Sequence, residues 1–140
     1  FKNTDKLYAH IAKIAKDDII NHFDNSMGPD GKWAPLKPLT IAKKKSSKIL
    51  VHTGNLKKSI RARAGKISAI IEAHWSKVDK WNFVNYGWLQ QNGFRVIKRD
   101  KKKKTGWKYE QVPARQFMWL SDESKEKMKQ YLTDSYLGER

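Results

Sequence analysis

Apolar residues return at three- and four-residue spacing through Leu7, Ile11, Ile14, Ala15, Ile19 and Phe23, the repeat of an amphipathic helix. This predicts a helix over residues 4 to 24, with Thr4 as its N-cap and Lys6, His10, Lys13 and Asp17 on the opposite face. Asp18 falls beside the apolar stripe and breaks the pattern. Gly28-Pro29-Asp30-Gly31 ends the helix with several turn formers together. Residues 30 to 52 read as an extended arm, because Pro35 and Pro38 bias their predecessors away from helix. Within it a short helical turn over Leu39 to Lys45 is capped by Thr40. Thr53-Gly54 then turns the chain into a strand.

Two strands come next, about 56 to 64 and 66 to 74, joined at Gly65; the second is rich in β-branched residues, and the pair reads as a hairpin. Phe83 to Gln91 reads as a short helix closed by Gly93. Phe94 to Ile97 and Trp107 to Val112 form the arms of a second hairpin, whose tip, 98 to 106, is rich in lysine. The last helix spans 121 to 137. Ser121 caps it, Asp122 and Glu123 sit at its positive end, and Met128, Tyr131, Leu132 and Tyr136 form one stripe. The order gives an α+β fold in one domain, 1 to 140. In it an antiparallel sheet of about four strands, within 56 to 112, is flanked by the terminal helices, whose apolar stripes pack over one sheet face.

Composition adds charge and aromatic bulk. Thirty Lys and Arg against 14 Asp and Glu give a net charge of +16. From Gly31 to Ile71 there is no Asp or Glu. A field this positive favours a polyanion or an acidic protein surface nearby, while solvated lysines that keep copies apart explain it equally well. Six Trp, five Tyr and five Phe supply large anchors for a core or an interface in a chain of low mean hydropathy, -0.82. No apolar run is long enough to cross a membrane, and with no Cys there are neither disulfides nor thiolate metal sites.

Candidate chemistry is sparse. His10, His22, His52 and His74 lack the spacing of a metal site, and no cofactor motif is present. The run Asp24 to Gly31 fails as a calcium loop, since Gly28 and Pro29 stand where a ligand and the obligatory Gly belong. Glu72, Asp79, Asp100 and Glu110 are well separated, so no pair of catalytic carboxylates stands out. Trp75, Trp81, Trp88 and Trp107 among lysines suit either a single-strand stacking platform or core and interface packing.

Four segments carry a likeness. Trp33, Pro35, Leu36 and Thr40 form the first; Ile49, Leu50, Thr53, Gly54, Leu56 and Ser59 the second; Tyr86, Gln91 and Gly93 the third; Pro113, Arg115 and Phe117 the last. In that order they resemble the phage virion morphogenesis family, whose members complete phage tails and join them to heads. The third segment departs from the family pattern at Gly87, Gln90 and Asn92. The resemblance implies a non-enzymatic structural protein without cofactor, made in the bacterial host cytoplasm and carried in the virion tail or neck. It implies a homo-oligomeric ring that meets other tail or neck proteins. Lys101, Lys102, Lys103 and Lys104, an elaboration that the family pattern does not demand, are candidate contacts to a polyanion, either the passing genome or an acidic rim on a neighbouring protein. The alternative is a basic nucleic-acid-binding module acting outside a virion.

Overall fold

A computed structural model describes residues 4–50, 54–73, 76–79, 82–100, 102 and 106–138, with backbone alone at 76–79 and 82–86. Helix α1 (Thr4–Asn25) runs one residue past the expected end and organises the molecule. Lys6, His10, Lys13 and Asp17 face solvent as the pattern requires, and Leu7, Ala12, Ala15, Ile19 and Phe23 are buried. Ile11 and Ile14 are only half-buried. The chain then makes a tight antiparallel turn, β1 (Met27–Gly28) with β2 (Gly31–Lys32). The arm beyond it contains α2 (Pro38–Lys44). Its N-cap is Lys37 with Pro38 in the first turn, so Thr40 lies inside the helix and does not cap it.

Gly54, at φ 75°, opens a short helix, α3 (Asn55–Lys58), before strand β3 (Ile60–Ala64). The expected strand start at 56 is therefore corrected: Ser59 closes a helical turn by donating its N–H to Asn55 O and its hydroxyl to Leu56 O at 2.6 Å. Strand β4 (Ala69–Ala73) pairs with β3 in the register Ile60↔Ala73. The hairpin β5 (Ser76–Asp79) and β6 (Asn82–Asn85) replaces the first turn of the helix expected from Phe83, and α4 (Tyr86–Asn92) supplies the rest. Strands β7 (Phe94–Arg99) and β8 (Trp107–Val112) form the second expected hairpin. Helix α5 (Asp122–Gly138) closes the described chain.

The α+β class and both terminal helices stand, but the single sheet does not. Among the described residues there are four two-stranded antiparallel sheets, each a self-contained ladder. Short local hairpins satisfy their inner edges without needing each other. The core is built where α1 lies across β3 and β4. Ile19, Phe23, Trp33, Ile49, Leu56, Ile60 and Phe117 form one buried cluster, with Leu36, Leu50, Ile71 and Met118 packed around it.

Helix α5 packs along α1 and not over a sheet face, which corrects the expected layering. The helices run antiparallel: Asp18 meets Ser121 at one end, and the His10 ring stacks on Tyr131 at 3.9 Å farther along. Ser124 is the buried residue of α5. Of its expected stripe, Met128 and Tyr131 are half-buried, whereas Leu132 and Tyr136 are 40% and 52% exposed. A helix that touches only one other helix buries a narrow strip, and the rest of its apolar residues stay in water.

Candidate functional site

Residues 113–120, between β8 and α5, form a strap without regular structure that reaches α1, α4, the arm and the β1–β2 turn. An irregular backbone cannot satisfy itself, so its polar groups need partners elsewhere. Arg115 N–H donates to Gln90 O at 2.7 Å, which ties the strap to α4. Gln91 Oε1 accepts from both Phe117 N–H (2.9 Å) and Met118 N–H (3.1 Å). Gln116 O accepts the Trp33 indole N–H at 2.9 Å, and Trp119 Nε1 donates to Met27 O at 3.3 Å. The strap thus holds α4, the arm and the β1–β2 turn around Phe117, which is 1% exposed. Phe117 packs on Phe23 at 5.2 Å, and Phe23 meets Trp33 edge-on at 5.8 Å.

Gly93 lets the strap approach. Its φ is 75°, and a Cβ there would stand 2.9 Å from Ala114 N and 3.0 Å from Val112 O. Only glycine meets both demands cheaply.

Arg115 is 6% exposed, and its Nε donates to Ala34 O at 3.3 Å. Burial lowers its guanidinium below the ordinary value. Lys44, which donates to Lys48 O at 2.7 Å, is lowered by burial and then by the charge of Arg115. Among the described residues no carboxylate pairs with Arg115, so here it is a tie between strap and arm.

A second polar centre lies at the start of α5. Asp18 accepts from Ser121 N–H at 2.7 Å and from the Ser121 hydroxyl at 2.8 Å. The Ser121 oxygen in turn accepts from Ser124 N–H at 3.3 Å, the capping role expected of it. His22, one turn after Asp18, stacks on Trp119 at 3.9 Å with 7° between the rings. Its Nε2 lies 3.0 Å from Trp119 O, a contact in which that nitrogen must donate. The break in the α1 pattern at Asp18 is thus the joint between the terminal helices. That lone misfit was the signal in the sequence; its partner lies 103 positions away.

The motif residues therefore divide. Trp33, Leu36, Leu56 and Phe117 meet in the core with Ile49; Arg115 and Gly93 hold the strap; Gly54 opens α3. Pro35, Thr40 and Pro113 are exposed, and the structure gives them no joint role. Tyr86 begins α4 with its side chain outside the described residues, as is Thr53 entirely. Lys102 is exposed, its N–H donating to Asp100 Oδ1 at 3.0 Å; Lys101, Lys103 and Lys104 lie outside the described residues. Sequence reasoning missed Gln91 as the double acceptor for the strap, though it stood in the third segment.

What the arrangement offers chemically is shape and charge. Among the described residues no three His, Asp or Glu gather to hold a metal, and no helix is long and apolar enough to cross a membrane. No curated protein and no solved structure matches the chain. A family model described as the phage virion morphogenesis family matches residues 1–137. With nearly its whole length covered by that match, the chain belongs to the phage virion morphogenesis family.

Proposed function

We propose that this chain is a non-enzymatic structural protein that completes the phage tail and joins it to the head, assembling as a ring in the neck or at the tail end. The observation that carries the reading is how the motif residues are used. Trp33, Leu36, Leu56, Gly93, Arg115 and Phe117 fix the core and the strap, and large apolar side chains stay outside: Leu39 is 78% exposed, Trp88 62% and Leu137 56%. Exposed apolar surface on three separate helices suits head-to-tail contacts between copies, and such contacts close into rings when the rotation per copy allows. Other tail or neck proteins are the further partners.

Labelled antibody on purified virions, imaged by negative stain, tests the reading. Signal at the neck or tail end supports it, and its absence from both overturns it.

A further inference from the structure

The β7–β8 hairpin sorts its residues into two unlike faces. Cross-strand pairing puts Arg95 opposite Gln111, Ile97 opposite Tyr109 and Arg99 opposite Trp107. Period-two alternation places these six on one face. All six are exposed, with Trp107 at 68%, Tyr109 at 66% and Ile97 at 60%. The face has two arginines and no carboxylate, and among the described residues neither arginine has an acidic partner. The opposite face is different: Phe94, Val96 and Val112 are half-buried there, and Glu110 is held by Lys37 and Lys98.

Charge decides what fits. A second copy offers this face a chain with 14 acidic against 30 basic residues, and several of its exposed acids already meet its own cations. In α5, Glu123 pairs with Lys127 and Asp122 with Lys125; elsewhere Asp24 pairs with Lys57 and Glu72 with Arg63. The net charge of the chain, +16, adds to the attraction of a polyanion. A polyanion complements both the face and the whole chain.

Spacing then separates single strand from duplex. Trp107 and Tyr109 are two residues apart on one strand, about 6.8 Å, or about twice the 3.4 Å rise of stacked bases. Bases set on both rings must leave their continuous stack, which a duplex resists and a single strand permits. We infer that this face binds single-stranded nucleic acid, with bases on Trp107 and Tyr109 and phosphates on Arg95 and Arg99. The inference does not depend on where the chain sits in a virion.

The test is anisotropy of a labelled oligo(dT) of about 16 nucleotides titrated with the full chain. W107A should weaken binding by about 5- to 150-fold, the range for one stacked base, while W107F should restore most of it. R95A/R99A should lower the steepness of the log–log salt dependence by about 1.4, at about 0.7 per phosphate contact. A duplex of equal length should respond little to W107A. Three results would each overturn the inference: W107A binding oligo(dT) like the parent, polyglutamate competing as well as oligo(dT), or W107A abolishing self-association while leaving oligonucleotide binding intact. The second would mark a surface for acidic proteins and the third a surface between copies. Far-UV circular dichroism and the melting midpoint should be unchanged in all variants, because every altered side chain is exposed.

Discussion

Trp33 and Trp107 are the same residue put to opposite uses. Trp33 is 6% exposed, its ring edge-on to Phe23 and its indole N–H on Gln116 O. Trp107 is 68% exposed on a hairpin whose strands, among the described residues, pair only with each other. Around Trp33 every nearby segment contributes a partner: α1, the arm, the β1–β2 turn and the strap. Around Trp107 the described neighbours on its face are Arg99 across the ladder and Tyr109 along the strand. Aromatic and basic richness alone therefore does not assign a role. Whether long-range segments converge on the ring decides it, and they do so at Trp33, in the part of the molecule built on α1.

The sharpest way to break that contrast is to hollow out the converged half. Phe117→Ala should cost about 3–5 kcal/mol, typical of a buried aromatic truncated in a packed core. It is read from the urea unfolding midpoint at constant m-value. A loss well below about 1 kcal/mol, the ordinary scale of a point change, would mean that the strap is not anchored through Phe117.

The range of each interaction sets how legible it is in the sequence. The start of α5 was legible because Ser121, Asp122 and Glu123 are local signals, and the β7–β8 hairpin because its strands are neighbours in sequence. Helix α3 was not, since Thr53-Gly54 marks a turn without specifying the element beyond it, and tertiary context gives Leu56 its place in the core. The absence of a common sheet was equally hidden, because hydrophobic alternation specifies strands but not which hairpins share an edge. Leu132 looked like core because its spacing is helical, yet spacing does not say how wide the covered strip is. Of the residues on which the likeness to the family rested, Trp33, Leu56, Arg115 and Phe117 are ones on which the fold closes, whereas Pro35, Thr40 and Pro113 are exposed.

Two substitutions of middling effect probe how the converged half is tied. Asp18→Ala leaves the Ser121 N–H and hydroxyl without their acceptor at the joint of α1 and α5. The expected loss is about 1–3 kcal/mol, with amide exchange rising first in the opening turn of α5. Unchanged exchange there would detach Asp18 from the joint. Gly93→Ala imposes a left-handed conformation on a residue with a Cβ, about 1–2 kcal/mol, and adds a 2.9 Å contact with Ala114 N. A variant as stable as the parent would show that the strap can retreat from α4.

A smaller effect should appear where the two halves touch. Glu110 is held at about 2, well below its ordinary 4.5, first by the hydrogen bond from Lys37 and then by that from Lys98. A carboxylate depressed in the folded state contributes fully above its unfolded value. That contribution fades as pH falls from about 4.5 towards about 2. The Lys37 bond links the arm to the hairpin, so hairpin amides should lose protection relative to their intrinsic exchange rate across that window in the parent. Glu110→Gln should remove the pH dependence of that protection and leave it low throughout. An identical acid profile in both proteins would leave Glu110 without a tethering role.

The smallest expected change is at the exposed half itself. Ile97→Ser removes an apolar side chain that is 60% exposed, on the face that no other described element covers. Surface substitutions of this kind stay within about 0.5 kcal/mol, so the unfolding midpoint should not move. Serine also shrinks the apolar patch between the two arginines, which should improve solubility at high protein concentration. A loss comparable to that of Asp18→Ala would mean that Ile97 is covered in solution by the chain itself or by a second copy. Sedimentation across a range of concentrations separates those cases, since only the second makes the loss depend on concentration. Either result would erase the contrast between Trp33 and Trp107 and make the hairpin part of a core.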